Sequence, residues 1–137
     1  KLFYLVHTAD EMERIGYQAA GIGRAMMREQ YGKVPLLDDI FRMSERVGTM
    51  LERVLTCSLG EDAEGMKAVL RMVDVICEQI YRECIARQGA HQVQDSETMT
   101  AISIAQYLEH VGDHAVNWAR WWLYFNGGPG ETGDVIV

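Results

Sequence analysis

Four segments of the chain carry apolar residues at helical spacing. The first has Leu5, Met12, Ala19 and Met26 every seven residues, with Ala9, Gly16 and Gly23 between them. The second has Ile40, Val47 and Val54, with Met43 or Ser44 and Met50 or Leu51 between them. The third has Met66, Val69, Val73, Ile76, Ile80 and Cys84. The fourth has Ile102, Ala105, Leu108, Gly112, Ala115, Trp118 and Trp122. This spacing gathers the apolar side chains on one face of each predicted helix.

Short breaks rich in glycine and polar residues separate these segments, at residues 31–35, 58–62 and 89–95. Because short connectors join antiparallel neighbours, the pattern predicts an all-α, up-down-up-down four-helix bundle. We expect the bundle to occupy residues 1–126. Residues 127–137 begin with Gly-Gly-Pro-Gly and are expected to form a flexible C-terminal tail.

The first and fourth segments are copies of one element. Residues 9–24 align with residues 105–120, so that Glu13 meets Glu109 and Gly16 meets Gly112. A glycine inside a helix costs about 1 kcal/mol relative to alanine, so a close approach must compensate for it. We therefore expect the two copies to pack against each other through their small residues.

Charge and composition narrow the function. The chain has 20 acidic and 13 basic side chains and a net charge of −7, which argues against nucleic-acid binding and against docking on anionic lipid. It has no apolar run of about 18 residues, so no membrane insertion is predicted. The cysteines, Cys57, Cys77 and Cys84, are expected to be reduced core residues, as in a cytoplasmic protein. Since the sequence starts inside an apolar pattern without methionine, we expect it to belong to a longer protein.

A polar stripe on the fourth segment could carry chemistry. Its members, at spacings of three, four and four, are Gln106, Glu109, Asp113 and Asn117. Carboxylates four residues apart on a helix repel each other and favour a compensating cation. Oxygen ligands on adjacent turns suit a divalent or ferric ion. The equivalent positions of the first segment are Asp10, Glu13 and Tyr17.

If the two helices are adjacent, Glu13, Glu109 and Asp113 are predicted to converge on one metal site. The weaker candidate ligands at its margin are Asp10, Tyr17, His110 and Asn117. A solvated acidic strip is the alternative interpretation. His110 and His114, four residues apart, could bind zinc or could flank the stripe.

Enzyme signatures are weak. A di-iron bundle needs Glu-x-x-His motifs, but Gln88, Tyr107 and Val111 stand three residues before His91, His110 and His114. No serine or cysteine lies in a recognisable nucleophile motif. We therefore predict a protein that is not an enzyme, with a carboxylate-metal enzyme as the alternative.

Two runs resemble the signature helices of the PhoU family: MERIG at residues 12–16 and YLEHVGDHAVN at residues 107–117. The closing WWLYFNG at residues 121–127 is also similar to the end of that family. The resemblance implies an all-helical fold of three-helix repeats. This chain would hold the last helix of the first repeat and the whole of the second.

The resemblance also implies a metal, iron or zinc, bound by acidic motifs. Glu109 and Asp113 match the second motif, and Glu13 matches the leading acid of the first. The chain departs from the pattern at Tyr17, where the first motif has aspartate, and at His110, where the second usually has arginine.

PhoU proteins are non-enzymatic regulators that link a phosphate ABC transporter to a sensor histidine kinase and restrain phosphate-starvation signalling. The resemblance therefore implies these two partners, a homo-oligomer, and a cytoplasmic location that becomes peripheral at the inner membrane face through protein partners. A PhoU-like interaction domain of a larger transporter-associated protein is the alternative.

Overall fold

In a computed structural model of the chain, the described residues are 2–28, 37–72, 82, 85, 86 and 96–126. Within them, four helices are defined: α1 (Leu2–Arg28), α2 (Leu37–Gly60), α3 (Ala63–Met72) and α4 (Ser96–Asn126). The predicted all-α class is confirmed. The predicted tail, residues 127–137, lies outside the described residues.

Helix α4 is the centre of the arrangement, because α1, α2 and α3 all pack against it. Helix α1 runs antiparallel to α4, since Tyr4 lies beside Phe125 and Gly21 lies beside Tyr107. Helix α2 runs parallel to α4: Ile40 clusters with residues near the start of α4, and Val54 clusters with residues near its end. These directions are those of the predicted bundle.

The core confirms the apolar stripes of α2 and α4. All seven predicted positions of α4, from Ile102 to Trp122, are buried. On α2 the sequence left two core positions undecided, and the structure decides both. Met43 and Met50 are buried, whereas Ser44 and Leu51 are only half-buried. On α3, Met66 and Val69 are fully buried. The later part of that predicted stripe, Val73, Ile76, Ile80 and Cys84, lies outside the residues whose side chains the structure describes.

The predicted stripe of α1 is wrong as the face that meets α4. Leu5 and Met12 are 59% and 52% exposed, and Ala19 is exposed as well. The side of α1 turned toward α4 instead carries Tyr4, Glu11, Ile15 and Ala25. Helix α1 therefore has two faces with apolar content, and periodicity alone does not show which of them packs on α4.

The two copies pack against each other as predicted, but the repeated glycines are not the small residues through which they meet. A Cβ added at Gly16 would meet no atom within 4 Å, and one at Gly112 would meet only Met50 Cε of α2, at 4.0 Å. The close approach of α1 and α4 occurs at Gly21 instead. There an added Cβ would lie 2.7 Å from the ring of Tyr107.

The turn between α2 and α3 is held by backbone and side-chain hydrogen bonds. Glu61 adopts a left-handed backbone conformation with φ 54°. This conformation is unfavourable for residues other than glycine. The Asp62 N–H donates to the Cys57 carbonyl at 3.0 Å, as in a Schellman helix end. The Asp62 carboxylate accepts from the Gly65 N–H at 2.9 Å and caps α3. These bonds confirm the helix break predicted at residues 58–62.

None of the helices in the described part of the chain combines the length and the apolar character that a membrane crossing requires.

Candidate functional site

The interface between α1 and α4 contains a buried ionisable pair. Glu11 Oε2 of α1 lies 2.7 Å from His114 Nδ1 of α4. Glu11 is 7% exposed as a residue, and the His114 side chain is 15% exposed. An ionised carboxylate only accepts hydrogen bonds, so Nδ1 is the donor when Glu11 is ionised. The pair ties two helices together in surroundings where an unmade hydrogen bond is costly.

An aromatic cluster continues the same interface toward the N-terminal end of α1. The His7 ring stacks on Trp121 with centroids 3.8 Å apart and planes 6° from parallel. The hydroxyl of Tyr4 lies 2.8 Å from Ser58 Oγ of α2, and Trp118 Nε1 donates to that same hydroxyl at 3.4 Å. These contacts attach the start of α1 to the ends of both α2 and α4.

The polar stripe of α4 lies at the edge of the core. Gln106 and Asp113 are exposed, whereas Glu109 and Asn117 are half-buried. Asn117 Oδ1 accepts a hydrogen bond from Arg120 Nη1 at 3.3 Å. The stripe is thus a solvent-facing strip beside apolar packing.

The predicted convergence of Glu13 with Glu109 and Asp113 is not observed. Glu13 follows Glu11 by two residues, which is a rotation of about 200° around a helix. Because Glu11 faces α4, Glu13 points away from it and is exposed. Among the residues that the structure describes, no three histidine, cysteine, aspartate or glutamate side chains are grouped so as to hold a metal ion. The three-carboxylate site therefore does not fit this arrangement of the single chain.

The weaker candidate ligands have other surroundings. Asp10 forms an exposed ion pair with Arg14 at 2.9 Å. Tyr17 is 66% exposed, and the Arg24 guanidinium lies 5.8 Å from its ring centroid. His110 is exposed. His114 does not lie free in solvent, because its half-buried ring pairs with Glu11.

Sequence reasoning missed Glu11, although a signal was present. Tyr4, Glu11, Gln18 and Ala25 recur every seven residues and form a second helical stripe with Thr8, Ile15 and Ile22. A glutamate in such a stripe would need a polar partner on the opposing helix. His114 provides that partner.

Cys57 is confirmed as a free, buried thiol. Its Sγ lies 3.8 Å from Asp62 Oδ2. Burial raises the pKa of this thiol above its ordinary value, and the charge and hydrogen bond of Asp62 raise it further, while Arg53 partly opposes them. Because the thiolate is the reactive form, Cys57 is suited to packing rather than to nucleophilic chemistry. Cys77 and Cys84 lie outside the residues whose side chains the structure describes.

Comparison with known proteins gives matches over most of the chain. The family model described as PhoU domain matches residues 40–122. A protein of Methanothermobacter thermautotrophicus, named phosphate-specific transport system accessory protein PhoU homolog 1, is 28% identical over 118 residues. That match covers 82% of this chain and 53% of the relative.

An uncharacterized protein of Deinococcus radiodurans is 28% identical over 127 residues, or 86% of this chain and 46% of the relative. The chain thus spans about half the length of the curated relatives it matches. No solved structure matches it significantly.

Proposed function

Because the chain belongs to the PhoU family, we propose that it is a non-enzymatic regulator of phosphate transport and of phosphate-starvation signalling. The name of the Methanothermobacter relative, an accessory protein of phosphate-specific transport, supports this role. The proposed partners are a phosphate ABC transporter and a sensor histidine kinase. The protein would work in the cytoplasm and reach the inner membrane face through them.

The observation that carries this proposal is the apolar outer face of α1, formed by Leu5, Ala9, Met12, Gly16 and Ala19. All five residues are exposed. Exposed apolar surface of this kind is typical of sites where proteins meet. A regulator that acts by binding needs such a surface.

The internal repeat shows what kind of surface the outer face of α1 resembles. The positions of α4 equivalent to Ala9, Met12 and Gly16 are Ala105, Leu108 and Gly112, and all three are buried. On α4 that face packs in the core with α2 and α3. The outer face of α1 has the same pattern of apolar and small residues and is therefore suited to packing against helices. We propose that helical surfaces, either of partners or of another copy in a homo-oligomer, are what it binds.

A matched pair of substitutions tests the proposal. Met12→Glu places a charge on the outer face of α1, whereas Leu55→Glu places one on α2 at a similar exposure of 48%. We expect Met12→Glu to reduce co-purification with the transporter or kinase and to derepress a phosphate-starvation reporter in cells. Leu55→Glu should leave both near wild type.

Two results would contradict the proposal. Deletion of the complete gene could leave the reporter unchanged under phosphate-rich and phosphate-poor conditions, which would remove the regulatory role. Equal loss of partner binding in both glutamate variants would show that the outer face of α1 has no special part in it.

Metal binding through Glu109 and Asp113 stays a prediction of the family pattern. Elemental analysis of the purified protein, with and without the double substitution Glu109→Ala and Asp113→Ala, tests it. A stoichiometric metal that disappears in the double variant would support the prediction. Equal metal content in the two samples would contradict it.

A further inference from the structure

We propose that the cavity between the last turns of α1 and the first turns of α4 binds a small phosphate oxyanion. The cavity has a volume of about 290 Å³. Its wall includes Arg24, Arg28, Gly21, Thr100, Ser103 and Tyr107. The proposal rests on these residues and does not depend on the regulatory role proposed above.

Two arginines give the cavity its charge. Arg24 and Arg28 are four residues apart on α1, where like charges repel each other. Neither guanidinium has a carboxylate within 4.0 Å among the residues that the structure describes. An anion held between them would replace repulsion by two attractive, charge-assisted contacts. Such a pair of unmatched cations is notable in a chain with a net charge of −7.

The helix dipoles contribute little net charge at the cavity. The cavity lies at the C-terminal end of α1, which carries a partial negative charge, and near the N-terminal end of α4, which carries a partial positive one. Each helix end is equivalent to about half an elementary charge, so the two partial charges of opposite sign largely cancel. The two full charges of Arg24 and Arg28 therefore decide the sign of the site.

The rest of the wall supplies hydroxyl groups and a fixed shape. Ser103 and Thr100 bring side-chain hydroxyls to the cavity wall. The Ser103 hydroxyl donates to the Met99 carbonyl at 2.9 Å, so the arginines are the main donors for an anion. The ring of Tyr107 is pressed against Gly21, which holds that side of the wall in place. The Arg24 guanidinium also lies 5.8 Å from the centroid of the Tyr17 ring, within the range of a cation–π contact.

The size and donor set select the ligand class. A volume of about 290 Å³ is at the lower limit of small-molecule pockets, which favours a compact ligand. Planar guanidinium groups match the oxygen geometry of phosphate and bind it through two parallel hydrogen bonds. Inorganic phosphate and a small phosphate monoester share this chemistry.

Isothermal titration calorimetry on the full chain tests the site. Potassium phosphate and glycerol 3-phosphate are titrated at constant ionic strength, with sulfate as the competing oxyanion. We expect saturable binding of at least one phosphate ligand, and the ratio of the two affinities identifies which source is preferred. Arg24→Gln and Arg28→Gln should each weaken that binding about tenfold, as expected for loss of a charge-assisted hydrogen bond.

Arg46→Gln is the matched control, because it removes one exposed positive charge from α2, away from the cavity. It should change the affinity less than about twofold, which is the size of a weak long-range charge effect. Circular dichroism confirms that each variant is folded. The proposal is overturned if no phosphate ligand saturates the protein, if sulfate binds more tightly than both, or if Arg46→Gln weakens binding as much as the cavity variants do.

Discussion

Glu11 and His114 are separated by 103 residues in the chain and meet at 2.7 Å between the carboxylate and the imidazole Nδ1. Their contact helps to fix the rotation of α1 about its own axis and its position along α4. With Glu11 turned inward, Leu5 and Met12 necessarily lie on the outside. Together with the stacking of His7 on Trp121 and the close approach of Gly21 to Tyr107, this pair sets which face of α1 packs on α4 and which stays exposed.

Removal of either partner should destabilise the fold. We expect Glu11→Ala and His114→Ala each to lower the free energy of unfolding by about 1–3 kcal/mol, because each leaves a buried polar group without its partner. The double variant should lose less than the sum of the two. Urea denaturation measures all three values.

Glu13→Ala is the control for this cycle, because Glu13 lies two residues away and is exposed. It should change stability by no more than about 0.5 kcal/mol. Glu11→Gln, which keeps a hydrogen-bonding side chain, should lose less than Glu11→Ala. Additive losses for Glu11→Ala and His114→Ala would show that the two side chains do not interact in solution.

Two glycines of α1 should respond to alanine in opposite directions. Gly16→Ala should stabilise the protein by about 0.5–1 kcal/mol, since alanine is the better helix former and the site is open. Gly21→Ala should destabilise it by about 1–2 kcal/mol, because the new Cβ would overlap the Tyr107 ring. Thermal unfolding of the two variants compares them directly, and a stabilising Gly21→Ala would refute the close packing at Tyr107.

The Cys57 thiol should be slow to react and should make stability fall in alkaline solution. Burial raises its pKa above the ordinary value of 9.0, so the folded chain holds the thiol proton more tightly than the unfolded chain does. The stabilisation is complete below 9.0 and is lost as the pH rises through the folded-state pKa. Urea denaturation at neutral and at alkaline pH measures this loss, which should be smaller in Cys57→Ala.

Asp62→Asn provides a second readout on the same thiol. Loss of the Asp62 charge lowers the pKa of Cys57 and should accelerate its alkylation by iodoacetamide in the folded protein. Peptide mass spectrometry assigns the modified cysteine. An unchanged rate at Cys57 would mean that the carboxylate does not influence the thiol.

The sequence was sufficient for α2 and α4 because each has one dominant apolar face. On α4, the positions from Ile102 to Trp122 follow one stripe and are all buried. Periodicity could not show that Met43 rather than Ser44, and Met50 rather than Leu51, is the core residue. That depends on where α4 lies relative to α2. The break at residues 58–62 was visible because polar residues and glycine interrupt the helical pattern there.

Helix α1 was misassigned because its most regular apolar stripe is not the one that packs on α4. The inner face includes Glu11 and His7, which no hydrophobic pattern would select, and their partners His114 and Trp121 are more than 100 residues away. The predicted carboxylate cluster failed for the same reason. The rotation that brings Glu11 inward turns Glu13 away from Glu109 and Asp113.

Within the described residues, the backbone of α1 packs closely against α4 alone, whereas α2, α3 and α4 pack against one another. Helix α4 is packed against three helices and α1 against one, so more packing must be lost before the middle of α4 opens than before α1 does. Amide hydrogens in α1 should therefore exchange with deuterium sooner than those in the middle of α4. None of the described helices covers the outer side of α1, so a surface that bound there would slow this exchange.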